Sequence, residues 1–283
     1  MEANRLRRTV ALVTGASSGM GKAFARALLA EDLTVHAVAR RVESMSDLAE
    51  AGAHVMHMDI SRDEDVQAVA ERIRQEHGGV DVLVNNAGFG LYGAMEDIPI
   101  GEARYQFEVN LFGMARMTRA VLPHMRTRGA GRIINISSMG GKMYTPLGSW
   151  YHASKHAIEG WSDCLRLELK PFGIAVVIIE PGVIDTGFAD VLIDPLLERS
   201  GDGPYKEMAQ AVARATEASY AKGQASDPQV IVDLLLKAVR ASRPRTRYAG
   251  GKFARPLMFI RKWAGDRIFD KAVLSTVERA NRA

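Results

Sequence analysis

Two short stretches hold residue types able to do chemistry. In "TGASSGMG", Thr14 to Gly21, three glycines separate the apolar run 9–13 from "KAFARALLA". A glycine-rich turn between a strand and a helix gathers unpaired backbone N–H groups and the positive end of the helix dipole at one point, which attracts phosphate. Gly15 suits the tight turn, Gly19 a backbone approached by a pyrophosphate, and Gly21 a helix packed close on its sheet. The spacing is GxxxGxG rather than GxGxxG, and such turns also occur for packing alone. In "YHASK", Tyr151 and Lys155 stand four residues apart at the start of a helix, so a phenol and an ammonium share one face within reach of each other. That spacing is common on helix surfaces. Here other polar groups converge with it: Ser138 ends a strand in "INISS", Asn110 lies in the preceding helix, and "NNAG" (85–88) closes another strand. All emerge at the carboxyl ends of parallel strands, the edge where open α/β sheets bind ligands.

Other readings of the glycine stretch fit less well. "GASSG" satisfies GxSxG, which would make Ser17 a nucleophile on a strained elbow, but only one strand precedes it and no earlier loop can supply oxyanion donors. The phosphate-cradling GxxxxGK[ST] loop fails twice, with Ala16 for its first glycine and Ala23 for its magnesium-binding hydroxyl.

The elements that must position these groups follow from periodicity. The runs 9–14, 34–39, 54–58, 81–85, 132–137 and 175–180 are nearly continuous in apolar and β-branched residues, as strands buried on both faces are. Each is followed by a helical pattern, clearest over Lys22–Ala30, Asp63–Glu76, Gly101–Met125 and Trp150–Lys170, with Asp63 as an N-cap and Gly173 as a stop. Strand and helix alternating in this way predict a doubly wound α/β fold, a parallel sheet of about seven strands with helices on both faces. No linker composition divides residues 1–283, which read as one domain. Residues 187–223 are less regular and are expected to form a lid over a substrate pocket. A helix, a last strand in "RTRYAG" and an amphipathic helix through Phe269, Val273 and Val277 follow, residues 250–283 forming a C-terminal extension.

Composition sets the class. The chain has 283 residues, 47% apolar and 25% charged, with a formal charge of +4, ordinary proportions for a soluble globular protein. One cysteine, Cys164, excludes an internal disulfide framework and points to a reducing, cytoplasmic setting. Neither an export signal nor a stretch long enough to span a bilayer is visible. The basic surplus lies between Arg240 and Arg267, with Asp266 the only acid, and is weak grounds for association with an anionic surface; no nucleic-acid partner is expected. His152 and His156 have helical zinc-pair spacing, but without HExxH chemistry or a third ligand no metal is expected, and both are expected at the surface or facing the lid.

As a set, TGxxxGxG, NNAG, a serine thirteen residues before YxxxK, and "PGVIDT" (181–186) resemble the short-chain dehydrogenase/reductase family in order and spacing, densely from about Thr9 to Thr186. The resemblance implies a Rossmann-like fold and an oxidoreductase acting on a CH–OH group. It implies Tyr151 as acid/base, its pKa lowered by the positive charges of Lys155 and of the oxidised nicotinamide; Ser138 orienting the substrate oxygen; Lys155 on the nicotinamide ribose; and Asn110 holding a water that completes a relay. It further implies that Gly15, Ser17, Ser18, Gly19, Met20 and Gly21 cradle the pyrophosphate, Asp59 and Ile60 border the adenine, Asn86, Ala87 and Gly88 the adenosine ribose, and Pro181, Gly182, Val183, Ile184 and Thr186 the nicotinamide amide. After the second strand, where an acid would bind the NAD ribose, the chain has Ala39 and then Arg40 and Arg41, which with Ser17 suit a 2′-phosphate; NADP (NADPH) is therefore expected over NAD.

The pocket is expected to take a hydrophobic ketone or alcohol among Phe89, Leu91, Met139, Met143, Tyr144, Leu147, Trp150 and Phe188. The resemblance also implies a homodimer or homotetramer through helices 101–125 and 150–170. A nucleotide-binding sensor without turnover is the competing reading, disfavoured because Asn110, Ser138, Tyr151 and Lys155 are all retained.

Overall fold

The computed structural model describes residues 9–282; the N-terminal residues 1–8, read above for targeting signals, lie outside them. Strand β1 (Val10–Thr14) leads into helix α1 (Gly19–Ala30), β2 (Thr34–Ala39), the short α2 (Ser46–Glu50), β3 (His54–His57), α3 (Asp63–His77) and β4 (Val82–Asn85). Then come α4 (Ile100–Phe107), α5 (Met114–Arg128), β5 (Gly131–Ile136), α6 (Ser149–Leu169) and β6 (Ile174–Pro181). The chain ends in α7 (Asp190–Ser200), α8 (Lys206–Tyr220), α9 (Gln229–Arg240), β7 (Arg247–Gly250), α10 (Ala254–Trp263) and α11 (Gly265–Arg282).

The seven strands form one sheet in the order β3-β2-β1-β4-β5-β6-β7, every neighbouring pair parallel. All five residues of β1 are buried, because helices cover both faces of the sheet. On one face α1 and α9 pack Phe24, Leu28, Ile231 and Leu235 against Val13, Val35 and Val177. On the other, α3, α5 and α6 bring Val66, Ile73, Met117 and Leu165 onto Leu12, Leu83 and Ile133. Chain order reverses between β1 and β4, which opens a crevice at their carboxyl ends.

Three local expectations change. The helix expected over 101–125 is α4 and α5 joined by one π-helical segment, Glu108–Gly113, with Asn110 inside it. Such widened turns occur mostly at functional sites. Arg62 occupies the cap position and Asp63 opens α3, with Glu64 and Asp65 completing an acidic first turn that suits the helix dipole. Residues 187–223, read as irregular, hold two full helices, α7 and α8, whose Leu192, Leu196, Ala209 and Val212 form a small core of their own with Ala94 and Leu147. Residues of α11 close over this unit: Phe269 is fully buried, and Val277 packs against the same core.

Candidate active site

Helix α6 starts at Ser149, so Tyr151 lies in its first turn and Lys155 one turn further, both almost fully buried. Ser138 stands beside the Tyr151 hydroxyl, where it counters the rise in the phenol's pKa, and its Oγ accepts from the backbone N–H of Gly140 at 3.0 Å. Around the Tyr151 ring stand His152, Tyr92 and Phe188, with ring centroids 5.5, 5.6 and 6.0 Å away. Burial pushes the phenol above its usual pKa, and neighbouring Ser138 opposes this only in part. Lys155 Nζ donates to Ile136 O at 3.0 Å and lies 6.0 Å from the centroid of the Tyr151 ring. Its own pKa is lowered to about 8 by burial, against the opposing pull of Glu159. In the chain without a nicotinamide, burial outweighs the effect of Ser138, and the Tyr151 phenol stays above its usual pKa. Both groups lose water together, and the ammonium is turned to a carbonyl.

Asn110 is fully buried. Its Oδ1 accepts from Phe89 N at 3.0 Å, and its Nδ2 donates to Phe89 O at 3.0 Å and to Ser154 Oγ at 3.1 Å. The π-helical turn thus ties the loop after β4 to helix α6.

The nucleotide side is built around the first turn. Gly19 takes φ +53°, and a Cβ there would stand 3.4 Å from Thr186 Cβ; a Cβ on Gly21 would lie 2.3 Å from Gly15 O, an impossible approach. Thr14 Oγ1 accepts from the backbone N–H groups of both Asn86 and Ala87 at 3.0 Å, and Asn86 Nδ2 donates to Thr14 O at 3.0 Å and Gly15 O at 3.2 Å. Asn86 is therefore committed to bracing the glycine turn. Ile60 is buried and packs under Gly113. Burial raises the Asp59 carboxyl, but hydrogen bonds from Ser61 and the charges of Arg40 and Arg62 prevail and hold it low. Beyond Pro181, Gly182 N donates to Gly250 O at 2.8 Å and Val183 N to Lys252 O at 3.0 Å, fixing the loop that carries Ile184 and Thr186.

At the end of β2 the two arginines divide. Arg41 Nη2 reaches Ser17 Oγ at 3.4 Å and Ser18 Oγ at 3.3 Å, whereas Arg40 Nη1 donates to the Tyr105 hydroxyl at 3.0 Å. Arg41, not Arg40, sits with the serines. The glycine turn at the start of α1, Thr186 facing Gly19, and a guanidinium beside two hydroxyls fit the phosphates of a dinucleotide.

Several sequence expectations move. Leu91 is core, packed with Ile98 and Ala103 beside Phe89 and Trp150, and Tyr144 turns to the C-terminal helices, donating to Asp270 Oδ1 at 2.8 Å. His152 is buried, not at the surface. Its Nε2 accepts from Thr145 N at 3.1 Å and its Nδ1 meets Gly140 O at 3.0 Å, which requires the Nδ1–H tautomer; burial lowers its pKa to about 4. It braces the 139–145 loop behind Ser138. His156 is exposed, its Nδ1 2.9 Å from His152 O. The basic surplus is partly spent inside the chain: Arg240 pairs with Glu31, Arg261 with Asp266, and Arg247 with Glu159 and Asp163. Tyr92 was not anticipated; as one more aromatic in the loop after β4, nothing in its spacing singles it out.

A family model described as short chain dehydrogenase matches residues 9–195. The 3-ketodihydrosphingosine reductase of Bacteroides thetaiotaomicron is 41% identical over 182 residues, 64% of this chain and 66% of that one. The 17-beta-hydroxysteroid dehydrogenase type 1 of Homo sapiens is 32% identical over 269 residues, 90% of this chain and 81% of that one. A solved short-chain dehydrogenase from Streptomyces avermitilis matches with a TM-score of 0.78 at 35% identity, covering 97% of each chain.

Proposed function

The chain belongs to the short-chain dehydrogenase family, whose members are oxidoreductases acting on CH–OH groups, and from that premise we propose that it interconverts a hydrophobic ketone or aldehyde and its alcohol with NADP(H) in preference to NAD(H). The observation that carries this reading is Tyr151, buried in the first turn of α6, next to Ser138 and with its ring among Tyr92, His152 and Phe188. When bound, the nicotinamide supplies hydride to a carbonyl carbon or accepts it from a carbinol carbon.

The chain's own residues handle the oxygen and its proton. Ser138 Oγ, held by Gly140 N, positions the substrate oxygen beside the phenol. In reduction Tyr151 gives its proton to that oxygen as the charge develops, a task suited to a phenol that burial keeps protonated. Lys155, its Nζ 6.0 Å from the centroid of the phenol ring, is a cation close to the phenolate so formed, and its own pKa of about 8 lets it return a proton near neutrality. Asn110 holds the β4 loop and α6 at fixed separation. Arg41, Ser17 and Ser18 would hold the 2′-phosphate, and the turn at Gly19 the pyrophosphate.

Phe188 and Tyr92 exclude water from the reacting carbon, and α7 and α8 act as the lid. Arg199 pins that lid through Glu102 Oε2 at 2.7 Å and Tyr92 O at 3.2 Å. Aromatic surroundings with Tyr151 and Ser138 as the one polar corner would suit a lipid-like substrate carrying a single reacting oxygen, and both relatives described above are named for such a molecule. No helix among the described residues is long and apolar enough to cross a membrane. Phe112 and Leu167, exposed on the helical segments from 101 to 170, support self-association through that face. The test is a panel of aliphatic, aromatic and steroidal ketones with NADPH, followed by loss of its absorbance. Turnover confined to apolar ketones is expected, and preferential reduction of small polar carbonyls would contradict the assignment.

A further inference from the structure

Three of the chain's seven histidines meet far from the reaction site. His36 lies on β2 and His54 opens β3; they are cross-strand partners in register, so their side chains share one face of the sheet. His77 ends α3, whose C-cap Gly78 turns the chain away in a left-handed conformation. The His36 and His54 rings are stacked with centroids 4.7 Å apart, and His77 meets them edge-on at 5.1 and 5.3 Å. One nitrogen from each ring can be chosen so that all three lie within 4.8 Å of one another.

His36 makes this more than aromatic packing. It is fully buried, and neither of its ring nitrogens has a hydrogen-bond partner. Buried imidazoles normally satisfy at least one nitrogen, as His152 does here. With no partner on either nitrogen, His36 has a ring nitrogen available within 4.8 Å of one on each neighbouring histidine. Glu76 and Arg72 are the charged groups that act on it, and a Glu76 carboxylate oxygen lies 3.9 Å from His77 Nε2, where it can orient that ring.

We propose that His36, His54 and His77 form a binding site for a divalent transition metal of the imidazole-preferring class, zinc above all, with water completing a tetrahedral shell. Zinc–nitrogen bonds of about 2.0–2.1 Å place ligand nitrogens roughly 3.3 Å apart, so the site closes by turning the two outer rings. His54 and His77 are exposed and can rotate, while the buried His36 supplies the fixed ligand. Bound there, the ion would join the outer strand of the sheet to the end of α3. The site lies toward the amino ends of β2 and β3, away from the crevice at their carboxyl ends, so the proposal stands apart from the catalytic reading.

The experiment uses tag-free, chelator-treated full-length protein, titrated with zinc by calorimetry and with cobalt(II) by visible absorption. One zinc per chain is expected, with tetrahedral cobalt bands and a thermal midpoint that rises with zinc. His54→Ala and His77→Ala, both at exposed positions, should each weaken zinc binding by more than the ~10–100-fold typical of losing an outer-shell partner, and should abolish the thermal shift. No binding at about 100 µM zinc would overturn the proposal, since no stabilisation by mass action could then follow. So would binding that survives unchanged in the double variant, because the ion would then sit on other residues.

Discussion

Lys155 Nζ lies 6.0 Å from the centroid of the Tyr151 ring and donates a hydrogen bond to Ile136 O, so the cation is stored beside the phenol rather than paired with it. A buried ammonium whose pKa has fallen to about 8 is carried at a cost to the fold. Replacing it should separate stability from activity. Lys155→Met is expected to leave the thermal midpoint unchanged or raised while ketone reduction falls by ~100-fold or more in kcat/KM. Thermal denaturation and steady-state rates on one preparation check both halves.

The second arginine after β2, not the first, touches the serines of the glycine turn. Arg41→Ala is expected to lower the ratio of kcat/KM for NADPH over NADH by at least ~10-fold, and Arg40→Ala by less, because Arg40 is engaged with Tyr105. Equal effects in both variants would return the phosphate to a site shared by the pair.

Glu180, buried at the end of β6, has its pKa raised to about 7 by burial first and by the nearby Glu159 second, with Arg247 opposing. An unfolded glutamate releases its proton near 4.5, so between that value and about 7 the folded chain binds more protons than the unfolded one. The contribution of this group to stability is full below the lower value and is lost as pH rises through the higher. Glu180→Gln should therefore gain on wild type between pH 5 and pH 8, by up to about 3 kcal/mol. His36 and His152, each lowered to about 4 by burial, act oppositely, favouring the unfolded state as pH falls from 6.5 toward 4. Urea denaturation of wild type and variant at the two pH values isolates the Glu180 part.

Phe112, 51% exposed, and Leu167, 62% exposed, leave apolar side chains on the helical segments proposed for self-association. Leu167→Glu is expected to reduce the mass of the assembly measured by light scattering while the monomer stays folded. An unchanged mass would place the contact elsewhere.

What could be read from the residues alone followed the strength of the local signal. The sheet was legible because its strands are continuous apolar runs, and the crevice because the glycine turn, "NNAG" and "YHASK" must all fall at strand ends. Register and polar wiring were not. The buried chain from Thr118 through Asn85 and Asn135 to Ser162 joins four elements by hydrogen bonds of 2.8–3.0 Å, yet no residue in it stands near its partners in sequence. The π-helical turn at Asn110 escaped because "EARYQFEVNLFGMARM" has an unbroken helical pattern, whereas the bonds Asn110 makes there, to Phe89 and Ser154, join residues distant in sequence. Tyr92, His152 and the division of labour between Arg40 and Arg41 likewise depend on where loops fold back, which neighbouring residue types do not specify.

The role of the phenol is tested most directly by Tyr151→Phe, which removes one oxygen and keeps the ring packed between Tyr92 and Phe188. NADPH affinity, measured by quenching of intrinsic fluorescence, is expected to stay within about threefold of wild type, while ketone reduction falls by ~1000-fold or more, as loss of the proton donor requires. Reduction at a wild-type rate in this variant, with the cofactor bound, would contradict the assignment of Tyr151 as the acid.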